Sequence, residues 1–114
     1  MLSIDMYDRG EQFGAELDAA LGFITKEAIS RNKLTALSET GARKGMNNWW
    51  TSVLLPVVSK YPVGYVLTWR NTFKSKYTVS GNPVSFADDF RNFYKSPRTL
   101  FLKEINDADI YKRK

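Results

Sequence analysis

The sequence predicts a parallel α/β fold and, within that class, a portion of a (β/α)8 barrel. Three observations lead there. Short apolar stretches alternate with helical patterns in the order β-α-β-α-β-α, an order that goes with parallel strands and right-handed crossovers. The chain has 114 residues, enough for one small domain, whereas a complete barrel of this kind needs about 250. Three parallel strands alone leave two open edges and few helices to cover the sheet. The chain therefore reads as less than half of a barrel, cut at its N-terminal side. A small three-stranded α/β domain that simply begins with a strand is the competing reading.

The elements follow in order. Leu2 to Tyr7 is short and apolar at Leu2, Ile4, Met6 and Tyr7, and closes on Asp8-Arg9-Gly10, as a strand entering a loop does. From Glu11 to Ser30 the apolar residues Phe13, Leu17, Ala20, Leu21, Ile24 and Ala28 recur at three and four residues, the period of an amphipathic helix. Arg31-Asn32 ends it, with the cation near the negative helix terminus. Leu34 to Ser38 reads as the second strand, carrying Glu39 at its tip and breaking at Gly41. A polar loop to Asn48 precedes a helix over Trp49 to Lys60, capped by Asn47 or Asn48 and kinked or divided by Pro56. Val63 to Trp69 is a nearly continuous apolar strand, as in a sheet buried on both faces, and runs on to Arg70-Asn71. A long loop, Thr72 to Pro83, leads to a helix capped by Ser85 and ending at Tyr94. Pro97 opens a last helix through about Ile105. The expected domain is 1–105, with a polar tail over 106–114.

Composition narrows the chemistry. Hydrophobic residues make up 43% and charged residues 25% of the chain, ordinary for a globular protein. The 14% of aromatic residues is high, and aromatic faces serve both cores and flat apolar ligands such as sugar rings. The chain has no Cys and no His. Thiolate chemistry, the commonest general base and the commonest metal ligand are thus absent, and acid–base work falls to Asp, Glu, Tyr or Lys. No cofactor and no metal are expected. The net charge of +5 is scattered among acidic residues and carries no glycine-aromatic RNA motif, so a solvated surface is expected rather than a nucleic-acid partner. No apolar run approaches the roughly 20 residues that cross a membrane, and Met1 to Asp5 does not have the pattern of a signal peptide.

Parallel strands place their C-terminal ends on one rim. Asp5 and Tyr7, Glu39, and Trp69 with Arg70 all fall at such ends. Each has a plain structural alternative. Tyr7 and Trp69 fit a core, Asp5 fits a helix cap or a pair with Arg9, Arg70 fits a helix C-terminus, and Glu39 fits a cap or an ion pair. Their coincidence at one rim favours a site. Two carboxylates without His point to glycoside hydrolysis, in which one attacks the anomeric carbon and a second donates a proton to the leaving oxygen. Retention needs the two about 5–5.5 Å apart, and adjacent strands about 4.8 Å apart would bring Asp5 and Glu39 to that separation. Tyr7 would hydrogen-bond and orient Glu39, Trp69 would stack on a sugar ring, and Arg70 and Asn71 would bond hydroxyls.

The segments S-I-D-M-Y-D, A-L-S-E-T-G, N-N-W-W-T-S-V-L-L-P, Y-V-L-T-W-R-N and S-F-A-D-D-F-R-N-F-Y-K-S-P-R-T-L-F together resemble the C-terminal part of glycoside hydrolase family 26, the bacterial endo-β-1,4-mannanases. The resemblance spans Leu2 to about Ile105. It implies a retaining (β/α)8 enzyme acting on β-mannan or manno-oligosaccharide, secreted or at the cell surface, with the three strands as strands six, seven and eight. It implies Glu39 as nucleophile and Tyr7 as the tyrosine that bonds it. Asp5 is implied as site support, Trp69 as the sugar platform and Arg70 as a contact to the next sugar. Trp49 is counted among the substrate contacts, with at least one of Trp49 and Trp50 serving as packing. The family's acid/base is a glutamate at the end of strand four, preceded by a histidine. That strand has no counterpart here, so Asp5 is not expected to be the proton donor. The expected function is a C-terminal fragment of a mannanase, inactive alone and completed by the missing N-terminal part of the barrel. A non-catalytic carbohydrate-binding remnant is the second reading.

Overall fold

The computed structural model describes residues 1–69 and 84–108, with side chains from residue 87 in the second segment. Three strands, β1 (Leu2–Tyr7), β2 (Thr35–Gly41) and β3 (Val63–Thr68), form one sheet in the order β1-β2-β3. Both pairings are parallel, and the parallel arrangement obliges each connection to cross over the sheet. The connections are α1 (Phe13–Ser30) and a segment made of a π-helical turn (Trp50–Leu54) and α2 (Leu55–Val58). Helices α3 (Val84–Tyr94) and α4 (Leu102–Asp107) follow. The expected loop Thr72 to Pro83, and with it Arg70 and Asn71, lies outside the described residues.

α1 forms as its periodicity predicts. Phe13, Leu17, Leu21 and Ala28 are buried on one stripe, each large one contributing about 1.5–3 kcal/mol by leaving water. The helix ends in a Schellman arrangement. Asn32 adopts φ 52°, its N–H donates to Ile29 O at 3.1 Å, and Lys33 N–H donates to Ala28 O at 2.8 Å. Asn tolerates this left-handed conformation better than most residues, so a local signal does stop the helix. The charge expected to help is spent elsewhere: Arg31 pairs with Glu27 at 3.1 Å.

β2 is longer than expected. It passes through Glu39 and Thr40 to Gly41, with a register irregularity opposite Ile4 and Asp5. Its far end is held on both sides: Asp8 N–H donates to Gly41 O at 3.0 Å and Trp69 N–H to Thr40 O at 2.9 Å. The chain turns instead near Gly45, whose φ of 87° a side chain would disfavour. β3 departs from expectation in the other direction. Val63 and Val66 pack on the core, but Tyr65 and Leu67 are each 44% exposed. Helices cover one face of the sheet, and among the described residues no layer covers the other.

Pro56 divides the second connection as the sequence predicts. It lacks the N–H that an α-helix would use. Just before it, Leu55 N–H reaches back five residues to Trp50 O, which is the π pattern. The start of this segment corrects the sequence reading. Asp89 of α3 takes the place given to Asn47 or Asn48: it accepts the N–H groups of Trp50 at 2.8 Å and Thr51 at 3.3 Å, and the Thr51 hydroxyl. Asp89 is buried, so its removal leaves helix-start donors without partner or water. Asp89→Ala is expected to lower stability by about 2–3 kcal/mol, with Asp89→Asn recovering part of it. Urea denaturation at unchanged m-value measures both.

The aromatic residues form a spine through this side of the sheet. Phe13 stacks on Trp49 at 6.0 Å, Trp49 meets Trp50 edge-on at 5.0 Å, and Trp50 meets Phe90 at 4.7 Å. Phe101 continues it against Phe90 at 5.9 Å and Tyr94 at 4.6 Å. Docking of Phe101 also explains why the last helix begins at Leu102 and not at Pro97. Thr99 folds back on the end of α3, its Oγ1 lying 2.8 Å from Phe93 O, and Phe101 N–H donates to Glu104 at 3.2 Å, which opens α4 there. Similarly, Ser85 lies inside α3 and not before it. α4 runs two residues into the expected tail.

Candidate active site

The register of the sheet assembles the candidate site. Asp5 lies opposite Glu39, and Tyr7 opposite Gly41. Side chains alternate across a strand and in-register partners share a face, so Asp5, Tyr7 and Glu39 stand on one face. This is the face away from the buried residues of α1. Tyr7 reaches diagonally across the strand pair, and its hydroxyl donates to Glu39 Oε2 at 2.6 Å. That length is typical of a hydroxyl bonded to a carboxylate. Both residues are half-buried, so the pair is anchored in the sheet and open at its tip.

Asp5 is exposed and is turned toward β2. Its Oδ1 accepts the Ser38 hydroxyl at 2.6 Å, and the same Ser38 Oγ lies 3.1 Å from Ile4 O. Trp69 follows the end of β3, tied through its N–H to Thr40 O, with its side chain 44% exposed at the rim. The structure thus brings Asp5, Tyr7 and Glu39 together on one face, with Trp69 at the end of the adjoining strand. Trp49 is separated from them. It is 0% exposed and Trp50 is 3% exposed, both inside the aromatic spine. The expected substrate contact by Trp49 is corrected: no sugar reaches a side chain enclosed by Phe13, Trp50 and the core. Arg70 and Asn71 lie outside the described residues. Among those described, no cluster of three His, Cys, Asp or Glu side chains is placed to hold a metal ion, and no helix is long and apolar enough to cross a membrane.

Sequence reasoning passed over two further residues here. Ser38 lies within the A-L-S-E-T-G segment, but no local signal marks it as a contact to β1. Asp8 does carry a local signal, because an Asp two residues before Gly is an Asx-turn signal: its Oδ1 accepts Gly10 N–H at 3.0 Å. Asp8 is 2% exposed and sits 3.9 Å from Arg43 Nε, joining the loops after β1 and β2 beneath the rim. Burial pushes its carboxyl above the usual aspartate value, while the Gly10 N–H and the Arg43 guanidinium pull the other way. A raised folded value means the folded state binds more protons than the unfolded one, so stability falls as pH rises through that window. The melting temperature of the native chain, relative to that of Asp8→Asn, is therefore expected to decline as pH climbs from the ordinary aspartate range. A difference that is flat with pH would remove Asp8 from that role.

Known structures sharpen the assignment. A family 26 β-mannanase from Bacteroides ovatus superposes with a TM-score of 0.80 and 39% identity, over 90% of this chain and 31% of its own. The chain belongs to glycoside hydrolase family 26. The catalytic domain of a family 26 endo-β-1,4-mannanase from Bacillus sp. JAMB-750 superposes at a TM-score of 0.76 with 25% identity, over 96% of this chain and 34% of its own. A Cellulomonas fimi endo-β-1,4-mannanase variant gives 0.72 and 32%, over 94% and 26%. No protein-family model and no curated protein sequence matches. The chain spans about a third of the length of these family 26 structures. It corresponds to part of the family 26 (β/α)8 barrel, as the strand order predicted.

Proposed function

We propose that the chain is the nucleophile-bearing C-terminal part of a retaining endo-β-1,4-mannanase, with β1, β2 and β3 as strands six, seven and eight of the barrel. The observation that carries this reading is the hydrogen bond from Tyr7 to Glu39 Oε2, made at the C-terminal rim of a parallel sheet. In this role a Glu39 oxygen attacks the anomeric carbon as the glycosidic oxygen departs, and a covalent glycosyl-enzyme forms. Tyr7 holds the attacking carboxylate in place. Asp5 supports the site from β1, and Trp69 offers its exposed ring to the sugar face. Arg70 and Asn71 bond hydroxyls. The general acid/base belongs to a part of the barrel that these residues do not include, so the chain as given is inert toward mannan.

An activated glycoside separates the two halves of the reaction. Dinitrophenolate leaves without a proton from the enzyme, so a dinitrophenyl β-mannobioside fluorinated at the 2-position asks only for a nucleophile. The bond from the Glu39 oxygen to the anomeric carbon forms, and the bond to dinitrophenolate breaks with its electron pair. Intact mass spectrometry is expected to show one adduct, and peptide mapping to place it on Glu39. Binding of mannohexaose without any adduct would replace this reading with a carbohydrate-binding role resting on Trp69.

A further inference from the structure

The alternation of β2 does not by itself turn Glu39 toward Tyr7. Leu37 lies opposite Ile4, and both belong to the layer packed under the helices. Uninterrupted pairing from that point would set Ser38 opposite Asp5 and Glu39 opposite Met6. Met6 packs against the same apolar layer, so Glu39 would be driven into it, at the high cost of burying an unpaired carboxylate. The observed register instead steps from Ile4↔Leu37 to Asp5↔Glu39. One residue, Ser38, is inserted, and every side chain beyond it changes face. That single step carries Glu39 onto the face of Asp5 and Tyr7.

We propose that Ser38 is a positioning residue of the candidate site: as the inserted residue of the β2 bulge it turns Glu39 toward Tyr7, and its hydroxyl holds the bulge to β1. An inserted residue leaves a gap in the strand ladder. The Ser38 hydroxyl bridges it, lying 2.6 Å from Asp5 Oδ1 and 3.1 Å from Ile4 O. Asp5 then acts on Glu39 through Ser38 and the bulge, so that an exposed carboxylate on one strand sets the aim of a carboxylate on the next.

The consequence for reaction rests on the nucleophile reading of Glu39, whereas the consequence for geometry does not, and two measurements keep them apart. The first is the exchange rate of the Tyr7 hydroxyl proton, observed at low field by NMR and assigned by its loss in Tyr7→Phe. Ser38→Ala and the near-isosteric Ser38→Cys are expected to speed its exchange at least about tenfold, and Ser38→Thr, which keeps the hydroxyl, to restore it. Native exchange in a folded Ser38→Ala or Ser38→Cys overturns the proposal. The second is the rate of capture by the fluoromannobioside. Ser38→Ala is expected to slow it by one to two orders of magnitude, roughly what a misplaced reacting group costs, with the half-saturating concentration within about twofold. A native capture rate likewise overturns the proposal. Failure of the native chain to be captured rejects Glu39 as nucleophile, and the proton measurement then decides on Ser38 alone.

Discussion

Glu39→Gln is expected to abolish covalent capture of the fluoromannobioside, and Tyr7→Phe to slow it by about one to two orders of magnitude. The first effect follows from chemistry: an amide at Glu39 has no anionic oxygen to attack the anomeric carbon. The second follows from geometry. The Tyr7 hydroxyl is 2.6 Å from Glu39 Oε2, and a charge-assisted bond of that length fixes the direction of the carboxylate. Its loss frees rotation about the end of a half-buried side chain, and a misdirected reacting group forfeits much of the advantage of proximity. Neither variant is expected to lose fold, because both side chains project from the face that the helices do not cover. A Tyr7→Phe variant that is captured at the native rate would reduce the tyrosine to packing. Capture that persists in Glu39→Gln would move the nucleophile to another carboxylate.

The two tryptophans expected to meet substrate are predicted to separate completely. Trp49→Ala is expected to cost about 3–5 kcal/mol, the usual loss for deleting a large buried aromatic ring, because the ring sits between Phe13 and Trp50 at the centre of the aromatic spine. That loss is a large share of the stability of any small domain, so the variant is expected to unfold early or to lose near-ultraviolet dichroism at room temperature. Trp69→Ala removes a side chain that is 44% exposed. Its melting temperature is expected to move by only a few degrees, while the half-saturating concentration for the fluoromannobioside rises about tenfold, the loss of one aromatic–sugar contact of ~1.4 kcal/mol. Calorimetry and capture kinetics on the two variants read both quantities. A stable Trp49→Ala protein with weakened capture would return Trp49 to the site.

Much of this molecule was legible along the chain because the relevant forces are local. The stripe of Phe13, Leu17, Ala20, Leu21, Ile24 and Ala28 needs only the helical period to be read; Phe13, Leu17, Leu21 and Ala28 are buried together with Thr25, and Ala20 and Ile24 are half-buried. Pro56 divides its helix because a missing N–H acts within a few residues. Asn32 stops α1 through a backbone preference that belongs to the residue itself. Likewise, placing Tyr7 and Glu39 on neighbouring strand ends required only the strand order, and the bond between them has been found.

What remained illegible depends on contacts between residues far apart in sequence. Asp89 caps a segment 39 residues upstream of it, and nothing around Asp89 marks it as a cap. Trp49 reads as a substrate contact until Phe13 and Trp50 close over it, and Trp50 is enclosed in turn by Phe90 and Phe93. The bulge at Ser38 has no motif, because it is a mismatch between two strands and exists only in their pairing. By itself the sequence determined the order of the elements, their parallel arrangement and the placing of Asp5, Tyr7 and Glu39 toward one rim. Only the tertiary structure decided which face Glu39 occupies, because a period of two is reversed by one inserted residue, and that insertion is a property of β1 and β2 together.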